Sequence, residues 1–380
     1  MRKSLLVTLD FPPQTGGVAR YYGNLLAHLP RGDMEVLAQT DPKSEEYDRK
    51  KPYPIKRQKL IALSPLVWPK WLGLIFQIAK LARREKIKVI HVGQVLPIGN
   101  AAYFVKSFWQ IPYIVYAHGL DITSPQTSPR KRRTLKMVLD QASAIVANSE
   151  FTKRELSRFG LPEAKIKVVT PGCDISGNDF DSKGVEALRE RYRLENKVVL
   201  LTLGRLEERK GQDMVIRALA RLKSSHPEAV YLMVGAGAYE NKLRDLAQKC
   251  GVSDSVIFTG EVSEAERPNY FKLADIFIMP SRELSNRDVE GFGIVFLEAN
   301  AFGKPVIGGR SGGVSEAVLD GQTGLLVNPT DENEISQAIS RLLGDGELRK
   351  RLGENGRLRV EKDFQWSDRA KVIEQITNSV

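Results

Sequence analysis

Short apolar runs alternate with helical stripes from one end of the chain to the other. Residues 4–9, 89–92, 113–116 and 144–147 are short, mainly apolar runs, interrupted only by Ser4, Thr8 and His91. Runs of this kind read as parallel strands buried on both faces. After the first, Val18, Tyr22, Leu25, Leu26 and Leu29 recur at helical spacing and predict an amphipathic helix. A last strand of this half ends near Lys167-Val168-Val169-Thr170. The rhythm resumes at 198–203, 231–234, 256–262, 276–281 and 305–307. Met214, Val215, Ala218, Leu219 and Leu222 give a second helical stripe, and Ile294, Val295 and Leu297 the buried side of a third. Residues 331–380 read as helix, ending in Phe364, Trp366 and an amphipathic tail. Strand and helix in alternation predict α/β architecture with doubly wound parallel sheets.

At 380 residues the chain exceeds one ordinary core, so two domains are expected. The first spans residues 1–175, a polar linker 176–195, and the second 196–362. A terminal helix over 363–380 is expected to cross back onto the first domain. Only two cysteines, Cys173 and Cys250, argue against a disulfide framework and for a reducing, cytoplasmic setting. The apolar run at the N-terminus is too short for a signal peptide, and no run is long enough to span a membrane.

Charge divides the halves. Residues 1–173 hold 28 Lys and Arg against 13 Asp and Glu, and the remainder holds 29 against 33. A basic first half points to an anionic partner. Zinc-finger spacing, an aromatic RNA-binding run and a basic zipper are all missing, so nucleic acid is not expected. Within residues 50–86, Trp68 and Trp71 flank Lys70 ahead of an apolar body and the basic tail Arg83-Arg84-Glu85-Lys86. That pattern suits either a core helix or one lying on an anionic membrane surface. A further basic cluster, Arg130-Lys131-Arg132-Arg133, is a solvated helix start or faces an anionic acceptor.

Candidate chemistry gathers where strands end. Gly16 and Gly17 lie between the first strand and its helix, a place for a tight turn or for a phosphate or sugar. His118 follows the 113–116 strand and precedes Gly119. Arg205 and Lys210 flank the loop after 198–203, so two cations and the free amides of a helix start can meet one diphosphate. Gly235-Ala236-Gly237 opens like a dinucleotide fingerprint, but Glu240 stands where the third glycine belongs. Backbone near Val262 is placed to meet a base. Asp179-Phe180-Asp181 reads as solvated carboxylates rather than a metal site, having no strand before it. Glu290 and Glu298, with seven residues between them, bracket Gly291, Phe292, Gly293 and Ile294. They offer two carboxylates for hydroxyl groups, with helix-start amides between them. The loop Gly308-Gly309-Arg310-Ser311-Gly312-Gly313 is unusually glycine-rich.

Taken together, Gly16-Gly17, His118-Gly119, Gly204-Arg205, Lys210-Gly211 and Glu290 to Glu298 resemble the retaining GT-B glycosyltransferases of family 4. The resemblance covers nearly the whole chain. Asp288-Val289-Glu290-Gly291 is similar to the phosphatidyl-myo-inositol mannosyltransferases within that family. It implies two Rossmann-like domains facing a central cleft. It implies that Arg205 and Lys210 bind the donor diphosphate and that Glu298 holds the ribose. It implies Glu290 at the sugar hydroxyls, with the amides of Phe292, Gly293 and Ile294 beside sugar and phosphate. Gly16 and Gly17 would close the phosphate side, and His118 would meet the reacting sugar. The expected reaction is retaining transfer of a hexose, mannose from GDP-mannose, to a lipid-linked or glycan hydroxyl, with no metal or cofactor. A UDP-glucose or UDP-N-acetylglucosamine donor with a soluble acceptor, an NAD-dependent oxidoreductase and an inactive binding module are the rival readings.

Overall fold

A computed structural model describes residues 1–62, 64, 68–173 and 180–380. The chain divides into two compact units. One comprises Met1–Gly172 with Trp366–Val380, the other Cys173–Gln365.

The first unit is built on seven strands: β1 (Ser4–Thr8), β2 (Met34–Gln39), β3 (Ile55–Gln58), β4 (Val89–Val92), β5 (Tyr113–Ala117), β6 (Ala144–Ala147) and β7 (Ile166–Val168). They lie in the order β3-β2-β1-β4-β5-β6-β7, every pair parallel. β1, β4, β5 and β6 are buried along their whole length, as their mainly apolar runs require, and the polar Ser4, Thr8 and His91 are buried with them. Strands β2 and β3 escape the apolar pattern. β3 is Ile-Lys-Arg-Gln on the sheet's edge, and its Lys56 reaches Glu35 of β2 at 3.1 Å.

The second unit carries six strands: β8 (Val198–Leu203), β9 (Ala229–Val234), β10 (Val256–Phe258), β11 (Ile276–Met279), β12 (Val306–Gly309) and β13 (Gly324–Val327). Their order is β10-β9-β8-β11-β12-β13, again all parallel. Alternate residues feed opposite faces: Val199, Leu201 and Leu203 enter one core, Leu200 the other. Both sheets reverse direction of growth beside their first strand, between β1 and β4 and between β8 and β11. In doubly wound sheets, ligands bind beyond the strand ends at such points.

The C-terminal helix, Trp366–Asn378, belongs to the first unit. Trp366 meets the ring of Tyr21 edge-on at 5.3 Å, and Arg369 reaches Thr170 Oγ1 at 3.0 Å. Most of the expected linker is not linker. Ser182–Arg191 is a helix of the second unit, with Val185, Leu188 and Tyr192 packed on that unit's core. Those three positions lie on one helical face, which outweighed the polar composition. Asp181 caps this helix by accepting from the Lys183 amide at 3.0 Å, while Asp179 lies outside the described residues. No described helix is long and apolar enough to cross a membrane.

Candidate active site

In the second unit the loops after β8 and β11 build one ion cluster. Residues 204–211 leave β8, make a short 3-10 turn at Glu208–Lys210, and enter the Gln212–Leu222 helix through Gly211. Gly211 has φ 75°, and a Cβ there would stand 2.2 Å from the Pro280 carbonyl oxygen. Only glycine lets the two loops approach so closely. The Arg282 amide then donates to the Arg209 carbonyl at 2.9 Å, joining the loops by backbone.

The cluster centres on Glu290. Lys210 Nζ and Arg209 Nη1 each stand 2.6 Å from the same carboxylate oxygen, Oε2. Arg209 also lies 2.9 Å from Asp288 Oδ1 and 3.5 Å from Glu207. Burial alone would push the Glu290 carboxyl up. The Lys210 ammonium and Arg209 guanidinium outweigh it and hold the carboxyl well below the usual carboxylate range. Burial lowers the Lys210 ammonium, and Glu290 offsets that only in part. Asp288 moves the other way: burial raises its carboxyl against the pull of Arg209.

The glycine-rich loop after β12 has a mechanical role. The Gly313 amide donates to the Glu290 carbonyl at 2.9 Å. A Cβ on Gly313 would lie 2.0 Å from the Gly291 carbonyl oxygen, so backbone packs directly on backbone and fixes the Glu290 segment. Gly293, with φ 91°, caps the Ile294–Ala301 helix, and its carbonyl accepts from the Phe296 amide at 3.0 Å. Phe292 is buried in the core. The expected stripe is corrected here. Ile294 and Val295 are only half-buried, whereas Phe296 through Ala301 are buried all round, because this helix packs on several sides. Glu298, one turn in, binds Arg267 Nη2 at 2.8 Å.

Arg205 is placed elsewhere. Its side chain is 63% exposed and pairs with Glu207 at 2.9 Å, so it meets the cluster through Glu207 rather than Glu290. Arg209 occupies the inward position instead. Val262 follows β10, half-buried against the core. Gly235 and Gly237 serve the loop rather than a cofactor: their neighbour Ala236 accepts from the Leu206 amide at 3.0 Å, and a Cβ on Gly237 would meet the Leu206 carbonyl at 2.2 Å.

In the first unit, Gly16 caps the Gly17–His28 helix with φ 147°, and neither Gly16 nor Gly17 has an atom within 4 Å of its Cβ position. His118 stands just past β5. Its Nε2 lies 2.8 Å from the Tyr22 hydroxyl, and its amide donates to Asp121 Oδ1 at 2.9 Å. Burial lowers the His118 imidazole to about 4, leaving it neutral at pH 7.

Two doubly wound units, one presenting buried cations, carboxylates and a helix start beyond its strand ends, have the architecture of the GT-B class. Comparison with known proteins narrows this. Residues 15–176 match the model of Glycosyltransferase Family 4, and residues 185–359 that of Glycosyl transferases group 1. A GDP-mannose-dependent alpha-(1-6)-phosphatidylinositol monomannoside mannosyltransferase of Mycolicibacterium smegmatis is 33% identical over 378 residues, covering 98% of this chain and 97% of that one. The monoacylated-substrate counterpart from Corynebacterium glutamicum is 31% identical, covering 100% and 98%. Among solved structures, Anabaena HepE in complex with UDP-glucose superposes with TM-score 0.85 at 22% identity, covering 99% and 100%, a likeness of fold alone. The chain belongs to glycosyltransferase family 4.

Proposed function

We propose that the protein transfers mannose from GDP-mannose to a hydroxyl of a lipid-linked acceptor with retention at the anomeric carbon. The observation that carries the reading is the buried pair of cations, Lys210 and Arg209, fixed on Glu290 beside a helix start. Negative charge grows on the departing diphosphate as the anomeric carbon becomes oxocarbenium-like. Preorganised cations in a dry site stabilise that charge and make a metal unnecessary. The bond from the anomeric carbon to the diphosphate breaks, and the bond to the acceptor oxygen forms on the same face. The acceptor's proton passes to the departing phosphate oxygen. Glu290 accepts from sugar hydroxyls, Glu298 from the ribose, and the amides of Phe292, Gly293 and Ile294 meet sugar and phosphate. Arg205, exposed and paired with Glu207, turns onto the diphosphate when it binds. Gly16, Gly17 and Val262 lend backbone, and His118 meets the sugar. Mannose is favoured by the relatives' stated substrates. A uridine donor, as in the HepE complex with UDP-glucose, is the second reading.

Thermal stabilisation separates these donors. A nucleotide at a hundredfold excess over its dissociation constant stabilises by about 2.7 kcal/mol. GDP and GDP-mannose are expected to raise the melting temperature, and UDP, UDP-glucose and NAD to leave it unchanged. A shift with the uridine compounds alone would replace the donor and keep the mechanism.

The acceptor's lipid points to a membrane surface. Trp68, Phe76 and Phe108 are 72%, 66% and 71% exposed. Trp71 is half-buried rather than exposed, stacked on Phe104 at 5.6 Å, and Phe104 stacks on Phe108 at 6.3 Å. The ridge therefore spans the Leu72–Arg84 and Ile98–Trp109 helices, with Lys70, Lys80, Arg83 and Arg84 exposed around it. Leu66 and Val67 lie outside the described residues. Binding to vesicles rich in anionic lipid is expected, weakening with salt, and Phe76→Glu should lower it by about tenfold or more. Equal sedimentation of the variant and the native protein would remove this surface from the account.

A further inference from the structure

Tyr22 is buried in the Gly17–His28 helix, with its hydroxyl between two partners. The hydroxyl donates to the Gly93 carbonyl at 2.7 Å and stands 2.8 Å from His118 Nε2. A phenol has one proton, and a carbonyl can only accept. With the phenol proton committed to Gly93, the contact with the imidazole is favourable only if Nε2 carries hydrogen and donates to the Tyr22 oxygen. In a neutral ring Nδ1 is then unprotonated. Among the described residues, Nδ1 makes no hydrogen bond.

The rest of the surroundings hold this arrangement. The His118 amide donates to Asp121 Oδ1 at 2.9 Å, and the His118 carbonyl accepts from Asn148 Nδ2 at 3.1 Å. The Tyr21 ring meets the imidazole edge-on at 5.2 Å. Tyr21 and Tyr116 also pack on the Tyr22 ring, at 5.4 and 5.6 Å. Burial pushes the Tyr22 phenol well above its ordinary value, so its proton stays in place across the physiological range.

We propose that Tyr22 is a positioning residue: it locks His118 in the Nε2-protonated tautomer and so presents Nδ1 as a hydrogen-bond acceptor for a substrate hydroxyl. The functional half rests on the reading of His118 as a sugar contact; the tautomer does not. An acceptor-only nitrogen selects a ligand that can donate at that point. It would orient a sugar hydroxyl and reject a group that offers only lone pairs. Loss of one such hydrogen bond lowers a rate by about tenfold.

Nitrogen NMR of the full-length protein labelled at its four histidines tests this directly. At pH 7 the His118 signals should report a protonated Nε2 and an unprotonated Nδ1. Tyr22→Phe should mix the tautomers and lower kcat by about tenfold, with KM for the donor nearly unchanged. A protonated Nδ1 in the native protein overturns the proposal, whether or not Tyr22→Phe folds. So does a Tyr22→Phe variant with the native tautomer and native kcat. The expected tautomer together with full transfer by His118→Ala would instead overturn the role of His118 on which the functional half rests.

Discussion

Replacing Glu290 by glutamine is expected to lower sugar transfer by about 10²–10³-fold and to destabilise the second unit. Glutamine keeps the shape and loses the charge on which Lys210 and Arg209 converge at 2.6 Å. Two buried cations are then left facing one another across a neutral amide. Breaking a buried ion pair from one side costs about 3–5 kcal/mol. Asp288 stays 2.9 Å from Arg209 and retains part of its compensation, so the lower end of that range is expected. The catalytic loss has a separate origin, since a sugar hydroxyl loses a charged acceptor and the cations lose their alignment. The two effects come apart in pH. The native carboxyl is held below its ordinary value of 4.5, so its stabilisation is complete above that pH and fades as pH falls below it. The melting temperatures of native protein and variant should therefore converge in acid. A constant difference down to pH 3 would mean that Glu290 acts by shape rather than by charge.

Lys210→Met is expected to be nearly as severe for transfer and much milder for stability. Methionine keeps most of the buried stem, and Arg209 remains to neutralise Glu290. What disappears is the compact, desolvated charge available to the departing diphosphate. Loss of one preorganised group of that kind costs about 10²–10³ in kcat. A folded Lys210→Met protein with kcat within threefold of native would show that charge on the diphosphate is stabilised elsewhere.

The strands that were legible, β1, β4, β5, β6, β8, β9 and β11, are almost wholly apolar and buried, but β13, equally apolar and largely buried, was not read as a strand. β2 and β3 were not, since Glu35 interrupts one and Lys56 and Arg57 the other; those side chains pair with neighbours instead of marking a loop. The site shows the same division. Glycines and charged residues at strand ends singled out Lys210 and Glu290, which the structure brings within 2.6 Å of each other. Which of Arg205 and Arg209 turns inward was not legible, because the 3-10 turn at Glu208–Lys210 decides it and leaves no hydrophobic period. Asp288 and Arg267 were missed for a related reason: each acts through a partner distant in sequence, Arg209 or Glu298. Phe108 was missed because only the packing of two helices brings it beside Phe104 and Trp71. His118 was found from its place after β5, but its tautomer depends on Tyr22 and Gly93, which no local pattern connects to it.

The central claim is that the Arg209–Lys210–Glu290 cluster is where the donor diphosphate and its sugar bind. Calorimetric titration of GDP-mannose into the native protein and into folded Lys210→Met tests it most directly. The account predicts saturable binding to the native protein and at least about a hundredfold weaker binding to the variant, the scale expected of a lost charged contact to a phosphate. Equal affinity of the two proteins for GDP-mannose would place the donor elsewhere and contradict the account.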